Sequence, residues 1–326
     1  MSFLSNLFWG VRVLLALFGA ACVALVVAIA QPVHAPPTLA SLYKGATSID
    51  QAGLPELSRF QARDRTWLAY RLYPAKGGAQ DRLAILAHGS SGSSEEMNAA
   101  AHVLAEAGVN AVSMDVRGHG ASGSRGDIGY IGQLDDDLAD LVAELRKSYP
   151  AAKLTLIGHS AGGGYALRIA AGPVGALFDH FVLLAPYLGY TAPTNRPSEG
   201  PGRWAEPDLP RIAAIAALEQ IGVDWPQTLP VIAFANAPNA RSVTPRYSFR
   251  LLANYGPPRD WKGAIEATKD RVEIIAGAND ELMDADGYKN AIAPLGMRVT
   301  ILPDVDHIGV VYQPEALKAI VATFGE

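Results

Sequence analysis

The ten residues 154–163, Leu-Thr-Leu-Ile-Gly-His-Ser-Ala-Gly-Gly, constrain this chain more than any other stretch. A short apolar, β-prone run halts at Gly158, Ser160 follows two residues later, and Gly162 and Gly163 lead into an alanine-rich pattern of helical spacing from about Tyr165. That is a strand, a tight turn and a helix. In a G-x-S-x-G turn the serine backbone is strained, and side chains two residues before or after it would collide with their surroundings. The hydroxyl is thereby raised above the sheet, beside the positive end of the following helix. The same residues also fit a glycine-rich connection in which the serine only caps the helix. Partners elsewhere in the chain decide between the two.

Apolar strand patterns recur at residues 83–87, 109–114, 181–185, 272–276 and 298–302, separated by helical patterns. Such alternation, with strands apolar throughout, predicts a parallel sheet covered on both faces by helices. Residues 57–62 and 66–73, flanking Arg63-Asp64-Arg65, predict an antiparallel hairpin ahead of it. Ser93 and Glu96 have capping-box spacing before the helical pattern of Met97, Ala100, Ala101 and Leu104. A final helix is expected over 314–324.

The rhythm fails between about 187 and 269, where only short helical patterns (212–218, 247–255) are visible. Intervals this long inside a compact domain are usually functional, and this one reads as an inserted cap. Its Trp204, Trp225, Phe234, Tyr247, Phe249 and Tyr255 suit either an apolar acyl or aryl group or the cap's own core.

The N-terminus has a different character. Residues 13–30 carry no charge and are numerous enough to span a bilayer core. Ala28-Ile29-Ala30 has the small-x-small form of a signal-peptidase site before Gln31, so residues 1–30 read as a transmembrane anchor or a cleaved signal. Arg12 precedes the run and no Lys or Arg follows until Lys44, which places the bulk of the chain outside the cytoplasm, anchored or exported. Residues 31–45 read as a linker, and 46–326 as the α/β domain with its cap. A net charge of -5 offers no attraction for nucleic acid. Cys22 is the sole cysteine, which excludes an intrachain disulfide framework or a cysteine zinc site.

A serine hydroxyl needs a base to take its proton, an acid to orient that base, and donors for the oxyanion. Asp280 falls on the first turn after the strand 272–276, and His307 lies between the strand 298–302 and the last helix. Both positions are carboxyl ends of parallel strands, where open α/β sheets build their sites. The order Ser160, Asp280, His307 is the one that accompanies this turn when it is catalytic. Asp284, Asp286, Asp304 and Asp306 are rival acids, better suited to turns and caps. The other six histidines fall in the linker, a helix, a strand start or glycine turns. The oxyanion donors are expected to be the backbone N–H groups of Ala161 and of Ser90, in the turn His88-Gly89-Ser90. No Walker or dinucleotide fingerprint and no metal-ligand spacing is present, so no cofactor and no metal are expected.

These residues resemble the α/β-hydrolase superfamily, in particular its serine aminopeptidase, lysophospholipase and monoacylglycerol lipase branch. The resemblance is carried by His88-Gly89, by residues 115–123 (Asp-Val-Arg-Gly-His-Gly-Ala-Ser-Gly), by residues 158–163, and by Asp280 with His307. It spans about residues 55–326. It implies an α/β-hydrolase fold, a catalytic Ser160, Asp280 and His307, a structural role for Arg117 and His119, and specificity residing in the cap. The expected substrate is a small ester, lipid-like or otherwise apolar. An aminopeptidase or amidase would instead place an acid such as Glu206, Asp208 or Glu219 where a substrate amino group binds, and a non-catalytic anchored binding protein would keep only the fold.

Overall fold

A computed structural model of the chain describes residues 2–196, 203–237, 240 and 242–325. Helix α1 (Ser2–Ala30) and helix α2 (Ala40–Ser48) precede a hairpin of β1 (Leu57–Gln61) and β2 (Trp67–Tyr73). Then come β3 (Arg82–Ala87), α3 (Asn98–Glu106), β4 (Asn110–Met114), α4 (Gln133–Leu145), β5 (Lys153–His159), α5 (Ala161–Ala171) and β6 (His180–Leu184). The interval after β6 holds β7 (Ala205–Pro207), α6 (Leu209–Glu219), β8 (Pro230–Phe234), β9 (Arg246–Ser248), α7 (Phe249–Asn254) and α8 (Trp261–Thr268). β10 (Val272–Gly277), α9 (Ala285–Gly287), β11 (Arg298–Leu302) and α10 (Pro314–Ala322) follow.

One eight-stranded sheet runs in the order β1-β2-β4-β3-β5-β6-β10-β11. Pairing is parallel from β4 across to β11, and the β1–β2 hairpin adds antiparallel at the β4 edge. This is the α/β-hydrolase arrangement that the resemblance implies. Period-two alternation sends Leu83, Ile85, Leu154 and Leu156 into the core beneath α4, α5 and α8, while Leu86, Ile157, Val182 and Ile275 enter a second core with α3 and α10. With both faces covered, the strands carry no polar alternation. From β3 the chain crosses first to β4 and then back past β3 to β5. The carboxyl ends of β3 and β5 therefore flank the switch point, where an open sheet leaves a crevice.

Within the interval expected as a cap, β7, β8 and β9 form a separate antiparallel sheet. Phe234, Tyr247, Phe249 and Tyr255 are buried, whereas Trp225 is 65% exposed, so most of the aromatics serve as internal packing. The expected boundary at 269 is too late. Helix α8 packs against α5 and buries Trp261 and Ile265 in the core beside the sheet, so it is a sheet-covering helix between β6 and β10. The linker expected over 31–45 also ends early, since α2 begins at Ala40 and buries Leu42.

The capping box expected at Ser93 and Glu96 does not form. Ser93 makes no side-chain cap bond, and the Glu96 carboxylate turns inward to polar partners that a solvent-facing cap would not supply. Residues Phe8–Ala30 of α1 are long and apolar enough to cross a membrane, and length and composition fit an anchor and a signal sequence alike.

Arg117 joins three elements. Its Nε and Nη2 each donate to Asp137 of α4 at 2.7 Å, and its Nη1 donates at 2.9 Å to Asp64 in the hairpin turn. The guanidinium is only 6% exposed, and this planar fork is the geometry that fills two carboxylates at once. Arg117→Met leaves the Asp137 carboxylate buried and unpaired. Chemical denaturation should show a loss of about 3–5 kcal/mol, the scale for breaking one side of a buried ion pair.

Candidate active site

Ser160 sits between β5 and α5 with φ 51° and ψ −115°, outside the regions that L-residues favour. The surroundings hold it there. Its N–H donates to the Leu184 carbonyl at 2.9 Å, and its own carbonyl accepts from the N–H groups of Gly163, Gly164 and Tyr187. A Cβ on Gly158 would lie 2.0 Å from the Gly162 carbonyl oxygen, and one on Gly162 would lie 2.4 Å from the His88 carbonyl oxygen. Glycine at both positions is thus a steric requirement of the crossing between β3, β5 and α5.

Asp280 and His307 emerge beyond the carboxyl ends of β10 and β11. Asp280 Oδ2 lies 2.8 Å from His307 Nδ1, and both residues are buried. Asp280 Oδ1 accepts from the N–H groups of Leu282 at 2.8 Å and Met283 at 2.7 Å, which fixes the carboxylate plane. Burial by itself disfavours charge on either group, but their mutual attraction and hydrogen bond outweigh it. The Asp280 carboxyl is held below its ordinary pKa of 3.8 and the His307 imidazole is raised above 6.5. Of the rival acids, Asp284 accepts from the Asp286 N–H and Asp306 from the Gly309 N–H, local turn roles for both. Ser160 and His307 line the same cleft, although no hydrogen bond joins them among the described residues. Nucleophile–base contacts are often long before substrate binds.

Ser90 also lines this cleft, in the turn after β3. Among the described residues neither its N–H nor that of Ala161 has a hydrogen-bond partner. The neighbouring donors are taken, Gly89 N–H by Glu96 Oε1 at 2.7 Å and Ser91 N–H by the Tyr247 hydroxyl at 2.6 Å.

Glu96 is the contributor that spacing alone misassigned. Its Oε1 lies 2.6 Å from His159 Nδ1, and His159 Nε2 lies 3.0 Å from the His307 carbonyl oxygen. One half-buried carboxylate thereby connects the turn after β3, the residue preceding Ser160 and the His307 loop. Burial opposes its charge, but His159 and the Gly89 N–H more than compensate, and its pKa falls below the usual carboxylate value. A glutamate three residues after a serine looks the same in sequence whether it caps or turns inward. No local signal separates the two.

The cleft has a volume of about 500 Å³. Trp204, Ala235 and Val243 of the interval between β6 and α8 line one side, and Leu282 and Ile308 lie near Asp280 and His307. Leu42 of α2 completes it. Gly45 of α2 packs so closely on Ile308 that a Cβ there would come within 2.9 Å of the Ile308 Cβ. The helix that interrupts the expected linker is thus a wall of the cleft. Among the described residues no cluster of His, Cys, Asp and Glu has metal-binding geometry.

A family model described as serine aminopeptidase, S33, matches residues 78–251. Among solved structures, a soluble variant of monoglyceride lipase from Saccharomyces cerevisiae, in complex with a substrate analog, superposes with a TM-score of 0.60 at 16% identity, covering 84% of this chain and 94% of that one. Est1E from Butyrivibrio proteoclasticus, with ferulic acid bound, gives 0.58 at 18% identity over 82% and 97% of the two chains. A monoacylglycerol lipase from Paleococcus ferrophilus gives 0.55 at 18% identity over 78% and 97%. At such identities the likeness speaks for the fold. None of the curated proteins matches the chain.

Gly162→Ala tests the crossing directly. Because the added carbon meets backbone oxygens of β3 and its turn instead of a movable side chain, the loss of stability should exceed the roughly 1–3 kcal/mol of ordinary overpacking. A lowered thermal midpoint or loss of soluble protein would register it.

Proposed function

The chain belongs to the serine aminopeptidase S33 family of hydrolases, and from that premise we propose that it is a serine esterase acting on carboxylic esters with apolar, lipid-like acyl groups. The buried Asp280–His307 hydrogen bond, facing the same cleft as the strained Ser160, carries this reading. His307 with Asp280 on Nδ1 has, among the described residues, no partner on Nε2, which is thus open to act as a base. In this mechanism Ser160 Oγ attacks the ester carbonyl while His307 Nε2 takes its proton. The carbonyl oxygen gains negative charge and receives the N–H groups of Ser90 and Ala161. His307 then returns the proton to the leaving alkoxide, leaving an acyl-serine. Water, deprotonated by His307, attacks the acyl-serine, and the acid departs as Ser160 recovers its proton. Asp280 keeps the ring in the tautomer with hydrogen on Nδ1 and stabilises the imidazolium formed at each transfer.

Ester over aminoacyl substrates is favoured by where the cap acids are engaged. Glu206 pairs with Arg203, Asp208 caps α6 through the Arg211 N–H, and Glu219 accepts from Gln227. The acids that line the cleft are also occupied, Glu95 by Arg71 and Glu96 by His159. No described carboxylate in the cleft is left to hold a substrate ammonium group, whereas Leu42, Trp204, Val243 and Ile308 offer apolar surface. The N-terminal helix would hold this site at a membrane or lead it into export, with the hydrolase domain outside the cytoplasm.

A fluorophosphonate probe should label the wild-type protein and fail to label Ser160→Ala, whose ester turnover should fall by about 10⁶-fold, the scale for losing a triad nucleophile. Absence of labelling in folded wild type, or aminoacyl turnover above ester turnover, would contradict the proposal. The rate should also depend on pH in a set direction. Since His307 must be neutral to act as base and its pKa is raised above 6.5, kcat/KM should rise with pH along a limb centred above 6.5 and be lost below it. Asp280→Asn should shift that limb to lower pH and reduce kcat by about 10⁴-fold.

A further inference from the structure

The turn after β3 is held from above by the cap. Ser91 is a non-glycine residue with φ 68°, 1% exposed. A backbone of that kind persists only where its surroundings over-determine it. Here they come from the cap. The Ser91 N–H donates to the Tyr247 hydroxyl at 2.6 Å, and the Ser91 carbonyl accepts from the Thr244 N–H at 2.9 Å. Its Oγ donates to the Thr244 carbonyl at 2.8 Å and lies 2.9 Å from Asn236 Nδ2. One residue earlier, Trp204 Nε1 donates to Ser90 Oγ at 2.7 Å.

The proton on Tyr247 can be assigned. Burial raises its pKa, so the phenol is neutral and has one hydrogen to give. His119 Nε2 stands 2.6 Å from the phenol oxygen, and His119 Nδ1 faces the Arg117 carbonyl at 3.4 Å. A carbonyl only accepts, so Nδ1 carries the ring hydrogen and Nε2 is left as an acceptor. Burial keeps the imidazole neutral, its pKa well below 6.5. Tyr247 therefore donates to His119 and accepts from Ser91. The chain Ser91 N–H to Tyr247 O–H to His119 Nε2 runs in one direction with each role filled once. The Tyr247 ring itself packs edge-on against Phe234, with centroids 4.6 Å apart.

We propose that Tyr247, oriented by His119, is a positioning residue for the oxyanion hole: it holds Ser91 in the left-handed conformation and so aims the adjacent Ser90 N–H at the carbonyl attacked by Ser160. The cap is then a fixed part of the catalytic apparatus as well as a wall of the acyl site. This rests on the serine-hydrolase reading above. It also assigns to the His119 of the Arg-Gly-His-Gly turn a definite task, accepting the tyrosine proton.

Tyr247→Phe keeps the ring packing and removes only the hydroxyl. With a short p-nitrophenyl ester, kcat per titrated site should fall about 10- to 100-fold, somewhat less than the 10²–10³ lost with an oxyanion donor itself, while KM stays within about twofold. Fluorophosphonate titration should still count one reactive serine per chain. Adding Ser91→Gly, which adopts positive φ without help, should recover part of the loss, a rescue that a purely structural role would not produce. If Tyr247→Phe does not fold, His119→Leu removes the proton acceptor alone and should lower kcat in the same manner. An unchanged kcat in folded variants, or a loss accounted for by fewer titratable sites, overturns the inference. Failure of wild type to label would overturn the hydrolase reading instead.

Discussion

The crossing of α5 over the carboxyl ends of β3 and β5 is the constraint on which the rest of the structure depends. At Gly158 and Gly162 the backbones approach so closely that no Cβ fits, and Ser160 takes positive φ between them. Such a conformation costs on the order of 1–3 kcal/mol and survives only in a rigid frame. Two apolar cores, one on each face of the sheet, supply that frame. The same close approach brings the turn after β3 alongside Ser160, so the carbonyls that crowd Gly162 belong to the segment that also presents the Ser90 N–H.

Around that crossing, buried and half-buried charged groups each meet a hydrogen-bonding partner. Arg117 bridges Asp137 and Asp64, Asp280 meets His307, and Glu96 meets His159. A buried ion without a partner would cost several kcal/mol, so each pair fixes the relative positions of the elements that carry its members. Arg117 locks the hairpin turn to α4, and Glu96 with His159 connects the β3 turn to the His307 loop. The result is a set of loops with little freedom, although loops are ordinarily the mobile parts of a fold.

The interval between β6 and α8 and the N-terminal segment complete the cleft from outside the sheet. Tyr247 and Thr244 of that interval bind every polar group of Ser91, and α2 packs Gly45 on Ile308 while Leu42 faces the cleft. A segment expected to be a linker is therefore part of the cleft wall. Because only residues 31–39 separate α1 from α2, the start of α2 can lie no more than about 35 Å from the end of α1.

The sequence by itself determined the alternation of apolar strands and helices, the hairpin ahead of them, the strained serine turn and the position of Asp280 and His307 after later strands. Those features are local: periodicity, glycine spacing and chain order report them directly. It also marked where the alternation lapses, and there its reading was weakest. Only the tertiary structure decided that Glu96 turns inward to His159, that α8 belongs with the sheet, that α2 walls the cleft, and that Tyr247 reaches both Ser91 and His119. Tyr247 lies 156 positions from Ser91 and 128 from His119. Contacts over such separations leave no periodic trace, because they are set by how finished elements pack and by the need of each buried polar group to find a partner.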